Sequence, residues 1–232
     1  MGRLVEDISL RDRKYMFRDR RDAGRRLSLH LSQYQGPDSM VLAIPAGGVP
    51  VASEVGDALG LPMDLIIVRK VQIPGNTEAG FGAMGTEGEV ILNEGLLQRI
   101  GLTEEEITVQ IKKTRDIIRK REQLFRKDRP LPSIKDRNVI IIDDGLASGY
   151  TMLAAVSIVK SMAPRKIIVA VPTASRNTAD FILPQVDELV CLNIRSRYPF
   201  AVAEAYVNWH DLTDEEVLKI LNSIGKGDKH VG

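Results

Sequence analysis

Two kinds of apolar pattern alternate along this chain, and the alternation limits what it can fold into more than any other feature. Short aliphatic runs bounded by Gly or Pro recur at Val41 to Pro45, Leu65 to Val68, Val139 to Ile142, Ile167 to Val171 and Leu189 to Leu192. Continuous runs of this length read as strands buried on both faces. Longer stretches with helical spacing lie between them, over roughly 17–34, 50–59, 103–127, 149–162, 175–183 and 213–224. Strand, helix, strand repeated in this way predicts an α/β fold, a parallel doubly wound sheet wrapped by helices through right-handed crossovers.

Several boundaries carry physical punctuation. Thr103 with Glu106, and Thr213 with Glu216, have the spacing of capping boxes, in which side chains satisfy orphan amides at a helix start. Pro50 suits a first helical turn, and Pro164 ends the helix before it. A chain of 232 residues, 44% of them hydrophobic, can bury on the order of 70–75% of its unfolded surface in one globule. The reading is a single domain over 1–225, with a helical insertion at about 103–129 and a disordered tail at 226–232.

The single Cys excludes an internal disulfide framework and a multi-cysteine metal site, and fits a reducing, cytoplasmic setting. No apolar run approaches the ~20 residues of a membrane helix. The N-terminal residues lack the apolar stretch of a signal peptide, and Glu6 stands where a myristoylation motif wants Ser or Thr. A formal charge of +1 exerts no overall pull toward nucleic acid.

Residues 72–94 break the alternation with glycines at 75, 80, 82, 85 and 88 before Val90, Ile91 and Leu92 resume the apolar pattern. They read as a mobile loop leading into a short antiparallel hairpin over about 72–95, either an ordinary surface hairpin or a functional lid. Gly80 to Gly85 spell G-x-G-x-x-G, but no buried strand leads into them and no helix follows, so a dinucleotide site is rejected.

The stretch that carries chemistry is VIIIDDGLASGYTM, Val139 to Met152. Four aliphatics form a strand that ends in Asp143 and Asp144, a turn of small residues follows, and a helix begins. Ligands of open α/β sheets bind at the carboxyl ends of strands. Small residues opening a helix present unpaired amides which, with the helix dipole, make an anion site. The strand end therefore offers a phosphate cradle, with the hydroxyls of Ser148 and Thr151 as added donors, beside two acceptors suited to sugar hydroxyls.

This segment resembles the 5-phosphoribosyl-1-pyrophosphate (PRPP) motif of type I phosphoribosyltransferases, and every position of that pattern is met. FRDRRDAGRRL (17–27), AIPAGGVPVASEV (43–55), RKVQIPGNTEAGFGAMGTEG (69–88) and VNWHDLTDEEVLKIL near the C-terminus extend the resemblance to one branch of that family over most of the chain. It implies transfer of a phosphoribosyl group from PRPP to a nitrogen acceptor such as a nucleobase-like compound, with release of pyrophosphate. The alternative is a PRPP-binding regulatory protein without catalysis.

By that resemblance, Asp143 and Asp144 bind the ribose hydroxyls and help hold Mg²⁺, which is bound chiefly through substrate oxygens with no all-protein cage. Adjacent side chains diverge, so one can face the ligand while the other orients loops. Ala147, Ser148, Gly149, Tyr150 and Thr151 wrap the 5-phosphate. Ala46, Gly47 and Gly48 match the pyrophosphate loop, with a non-proline cis peptide expected at Ala46–Gly47. Arg69 and Lys70, read as ending the strand Leu65 to Val68, match basic residues that stabilise the leaving pyrophosphate. Hypoxanthine–guanine relatives place a purine-contacting Asp where this chain has Ala147, which speaks against a 6-oxopurine acceptor. A small hood near the C-terminus and a homodimer are further implications.

The remaining features read as scaffold. The basic clusters Arg11 to Arg26 and Lys112 to Arg129 are solvated helix faces or, in the other reading, a surface for a phosphate-rich partner such as RNA. Cys191 reads as a buried small hydrophobe, and His30, His210 and His230 have no ligand spacing. Tyr198, Phe200, Tyr206 and Trp209 either pack on an acceptor base or serve as core or dimer contacts.

Overall fold

The computed structural model describes residues 2–85, 88, 90–127 and 129–227. In chain order its first half holds β1 (Arg3–Val5), α1 (Arg20–Leu29), β2 (Ser39–Ala43), α2 (Gly48–Leu59), β3 (Met63–Leu65), β4 (Arg69–Ile73), β5 (Asn76–Met84) and β6 (Val90–Leu92). Then follow α3 (Glu94–Ile100), α4 (Glu104–Arg126), β7 (Asn138–Ile142), α5 (Tyr150–Ser161), β8 (Lys166–Ser175), α6 (Arg176–Ile182), β9 (Glu188–Arg195) and α7 (Asp214–Gly227).

Six strands form a sheet in the order β1-β9-β8-β7-β2-β3, each neighbouring pair parallel. Side chains alternate across a strand, so β7 feeds two cores. Ile140 and Ile142 join Leu27 of α1, Val55 of α2 and Val217 of α7 on one face. Val139 and Ile141 join Val156 of α5, Ile182 of α6 and Leu189 of β9 on the other. The sheet is thus doubly wound, as the alternation predicts. From β2 the chain winds outward to β3, whereas from β7 it winds the opposite way through β8 to β9. The connections leaving β2 and β7 therefore diverge, and a crevice opens at their carboxyl ends.

The helix punctuation lies where the sequence puts it. Thr103 and Glu106 exchange both bonds of a capping box at α4, and Thr213 and Glu216 do the same before α7. Pro50 lies in the first turn of α2. The helix read over 17–34 shortens to α1, because the Asp19 carboxylate accepts from the Asp22 amide and starts the helix there. α7 runs to Gly227, two residues into the expected tail, and 228–232 lie outside the described residues. β1 and α3 are short elements absent from the sequence reading.

Two corrections concern residues 65–94. The strand read at Leu65 to Val68 ends at Leu65, and Arg69 and Lys70 open β4 of a separate sheet instead of closing that strand. The apolar run continues past Leu65 because Ile66, Ile67 and Val68 are buried between the two sheets, Ile67 in one core and Ile66 and Val68 in the other. The expected mobile loop is largely strand: β4, β5 and β6 form an antiparallel sheet. Its glycines serve strand proximity, since a Cβ on Gly82 would lie 2.6 Å from the Ile91 carbonyl. Phe81 and Met84, on either side of it, are fully buried. Thr86, Glu87 and Glu89 of the expected loop lie outside the described residues. Among the described residues no helix is long and apolar enough to cross a membrane.

Candidate active site

Two loops line the crevice, residues 44–47 after β2 and 143–149 after β7. They touch closely. The Ile44 amide donates to the Ile142 carbonyl at 2.9 Å. A Cβ on Gly48 would stand 2.4 Å from that same carbonyl, and one on Gly47 would stand 2.1 Å from Asp144 Oδ2. Only hydrogen fits at either place. The non-proline cis peptide of this loop is Pro45–Ala46, one bond before the expected Ala46–Gly47. Gly47 already has helical backbone angles as the N-cap of α2, so the turn is made before it.

The acid pair is unequal. Asp144 Oδ2 accepts from Arg20 Nε at 2.8 Å, and its carbonyl accepts from the Tyr206 hydroxyl at 2.6 Å. Among the described residues Asp143 Oδ1 accepts only from the Asp144 amide, at 2.9 Å. Burial raises both carboxyls above the usual carboxylate range. The neighbouring Asp144 charge drives Asp143 further up, whereas Arg20 opposes the rise at Asp144.

Beyond the pair the turn is tightly held at its flanks and open at its centre. The Leu146 amide donates to the Thr173 carbonyl, and the Thr178 hydroxyl donates to the Ala147 carbonyl at 2.6 Å. Gly149 caps α5 at φ +78°, and a Cβ there would lie 2.7 Å from Thr178 Cγ2. The amides of Ala147, Ser148, Gly149, Tyr150 and Thr151 donate to no group among the described residues. Ala147, Ser148, Tyr150 and Thr151 are exposed. Five unpaired amides thus lie at the positive end of a 12-residue helix. The segment after β9 packs over this edge, with Val202 against Gly145 and Tyr206 against Asp144, the place expected of the hood.

Arg69 and Lys70 point to opposite faces of β4. Burial and the nearby Arg121 guanidinium both push Arg69 below its usual range. Arg121 of α4 donates to the Pro45 carbonyl at 3.5 Å, which puts one cation on the 44–47 loop with Arg69 within electrostatic reach of it. Lys70 lines a cavity of about 480 Å³ between the second sheet and α5, with Phe81, Ile91, Leu92, Tyr150 and Leu153. Among the described residues no three His, Cys, Asp or Glu side chains group to hold a metal.

Arg20 and Arg121 escape the sequence reading because each sits in a basic cluster read as solvated. The signal is their spacing. Arg20 precedes Ala23, Gly24 and Leu27 on the buried stripe of α1, and Arg121 lies three residues after Ile118 and four before Phe125 on that of α4. Of the aromatics, Tyr206 is core, Trp209 stacks on Arg20, and Tyr198 is exposed. Cys191 is fully buried and its thiol is pushed up by that burial, and His210 pairs with Glu216 at 2.9 Å.

Residues 18–206 match the family model described as phosphoribosyl transferase domain. Two Mycobacterium tuberculosis proteins, "Putative phosphoribosyl transferase Rv0571c" and its counterpart MT0597 from a second strain, are each 34% identical over 207 residues, or 89% of this chain. The chain spans about half the length of these curated relatives, 46% of each. The crystal structure of TT1426 from Thermus thermophilus is 38% identical and superposes with a TM-score of 0.79, covering 89% of this chain and 98% of that one. The matched span takes in both crevice loops, the acid pair and the open amide turn, and the chain belongs to the phosphoribosyl transferase domain family.

Proposed function

We propose that the protein transfers the 5-phosphoribosyl group of PRPP to a nitrogen acceptor and releases pyrophosphate. One observation carries the reading: five amides at residues 147–151, unpaired among the described residues, open α5 beside an acid pair, at the point where the winding of the sheet reverses. The amides, with the Ser148 and Thr151 hydroxyls, take the dianionic 5-phosphate. The acid pair accepts from the ribose hydroxyls. The loop over Ala46, Gly47 and Gly48, with Arg121 on its Pro45 carbonyl and Arg69 close to Arg121, takes the pyrophosphate, where cations act most strongly as the C1–O bond breaks and charge builds on the leaving group.

The donor set at the acid pair suits a hard cation: two adjacent carboxylates, each retaining an oxygen that accepts no hydrogen bond among the described residues. Bound Mg²⁺ would neutralise charge on the pyrophosphate, with Asp143 and Asp144 as the protein groups nearest it. The acceptor attacks C1 from the face opposite pyrophosphate, and positioning supplies most of the acceleration. Ala147 offers a methyl where a purine-reading carboxylate would be needed, which favours acceptors other than 6-oxopurines.

Pyrophosphate release measured with PRPP, Mg²⁺ and a panel of bases tests this reading. The expected result is release that depends on one class of acceptor. Tight PRPP binding without release for any acceptor would instead make the protein a PRPP-responsive regulator.

A further inference from the structure

Two stretches of the sequence, FRDRRDAGRRL and VNWHDLTDEEV, have no part in binding PRPP as described above, yet the fold brings them together behind the acid pair. Phe17 and Tyr206 form a parallel bridge, extended by the Val207 amide donating to the Phe17 carbonyl at 2.8 Å and the Asn208 amide to the Arg18 carbonyl at 2.9 Å. From this junction Arg20 reaches the site. Its side chain is 8% exposed. Nε donates to Asp144 Oδ2, Nη1 donates to the His210 carbonyl at 2.9 Å, and the guanidinium lies 3.9 Å from the centre of the Trp209 ring. The carboxylate held in this way abuts Gly47 so closely that no side-chain atom fits between them. Asp143, by contrast, is held by no side chain among the described residues, its Oδ1 accepting from the Asp144 amide.

We propose that Arg20 is a positioning residue that commits Asp144 to backing the 44–47 loop and leaves Asp143 as the carboxylate that meets the ribose. The inference rests on the PRPP reading of the same site and divides its labour. Trp209 gives the guanidinium a flat apolar wall and the His210 carbonyl fixes its rotation, so the Asp144 carboxylate has one stable placement. The shape of the pyrophosphate loop then depends on an ion pair that spans the chain from α1 to the end of β7.

Calorimetric binding of inorganic pyrophosphate and of ribose 5-phosphate, measured separately with Mg²⁺, tells the two roles apart. Arg20→Gln should weaken pyrophosphate by about tenfold and leave ribose 5-phosphate within about twofold of the native value. Asp143→Asn should show the reverse pattern. Arg20→Lys, which keeps the charge, should recover most of the pyrophosphate affinity. Arg20→Gln combined with Asp144→Asn should be no worse than either alone, because the two act as a unit. Should Arg20→Gln fail to fold, Trp209→Leu reads the same split, with a smaller loss confined to pyrophosphate. Equal losses of both ligands, or undiminished pyrophosphate binding, would overturn the inference. A native protein that binds neither ligand would overturn the PRPP reading itself.

Discussion

At Gly47 a single hydrogen separates the backbone of one loop from the carboxylate of another. Because Arg20 pins that carboxylate, it cannot swing aside for a methyl group, so Gly47→Ala must move the loop. We expect this variant to stay folded and to bind pyrophosphate about tenfold or more weakly in calorimetry, the scale of one charge-assisted hydrogen bond removed. Gly149 is constrained differently, by its positive φ and by Thr178. Gly149→Ala should cost about 1–3 kcal/mol of stability in urea unfolding, the usual range for a side chain forced into the left-handed region. Asp143, Asp144 and the 145–151 turn are legible in the sequence because strand, acids, small residues and helix are contiguous. Arg20 is not, because its partner lies 124 positions away and nothing local distinguishes it from the arginines around it. Arg21 and Arg25, its neighbours on the helix, share Glu54 at the surface.

Elements announce themselves when their determinants are local. The capping boxes before α4 and α7 can be read four residues at a time, and Thr103→Ala should lower stability by about 1 kcal/mol in chemical denaturation, the usual cost of losing an N-cap. α3 escapes notice because seven residues span barely two turns, too few for a periodic pattern. The second sheet is misread for another reason. Glycine signals a turn when judged by its own freedom, but Gly82 in β5 answers to a carbonyl on the neighbouring strand, a tertiary fact. The same holds for the 65–70 boundary, where burial between two sheets keeps the chain apolar after its strand has ended.

For the whole molecule, parallel strands and windings on both faces follow from the alternation, but the order β1-β9-β8-β7-β2-β3 does not, because pairing partners leave no trace in a single strand. The position of the crevice depends on that order. The second sheet is part of the same packing: Val71, Phe81 and Met84 share a core with Ile118 and Phe125 of α4 and with the main sheet. Phe81→Ala should therefore cost about 3–5 kcal/mol in global unfolding, as for a buried aromatic in a tight core. A much smaller loss would show the sheet to be only loosely attached. The bridge between Phe17 and Tyr206 has a consequence for biosynthesis. The guanidinium behind Asp144 gains its stacking ring and fixed rotation only once Trp209 and His210 have left the ribosome. A nascent chain that has already formed strands β2 and β7 would hold both crevice loops without the brace that shapes them, so ligand recognition would mature only after residues 206–210 have emerged and docked on α1.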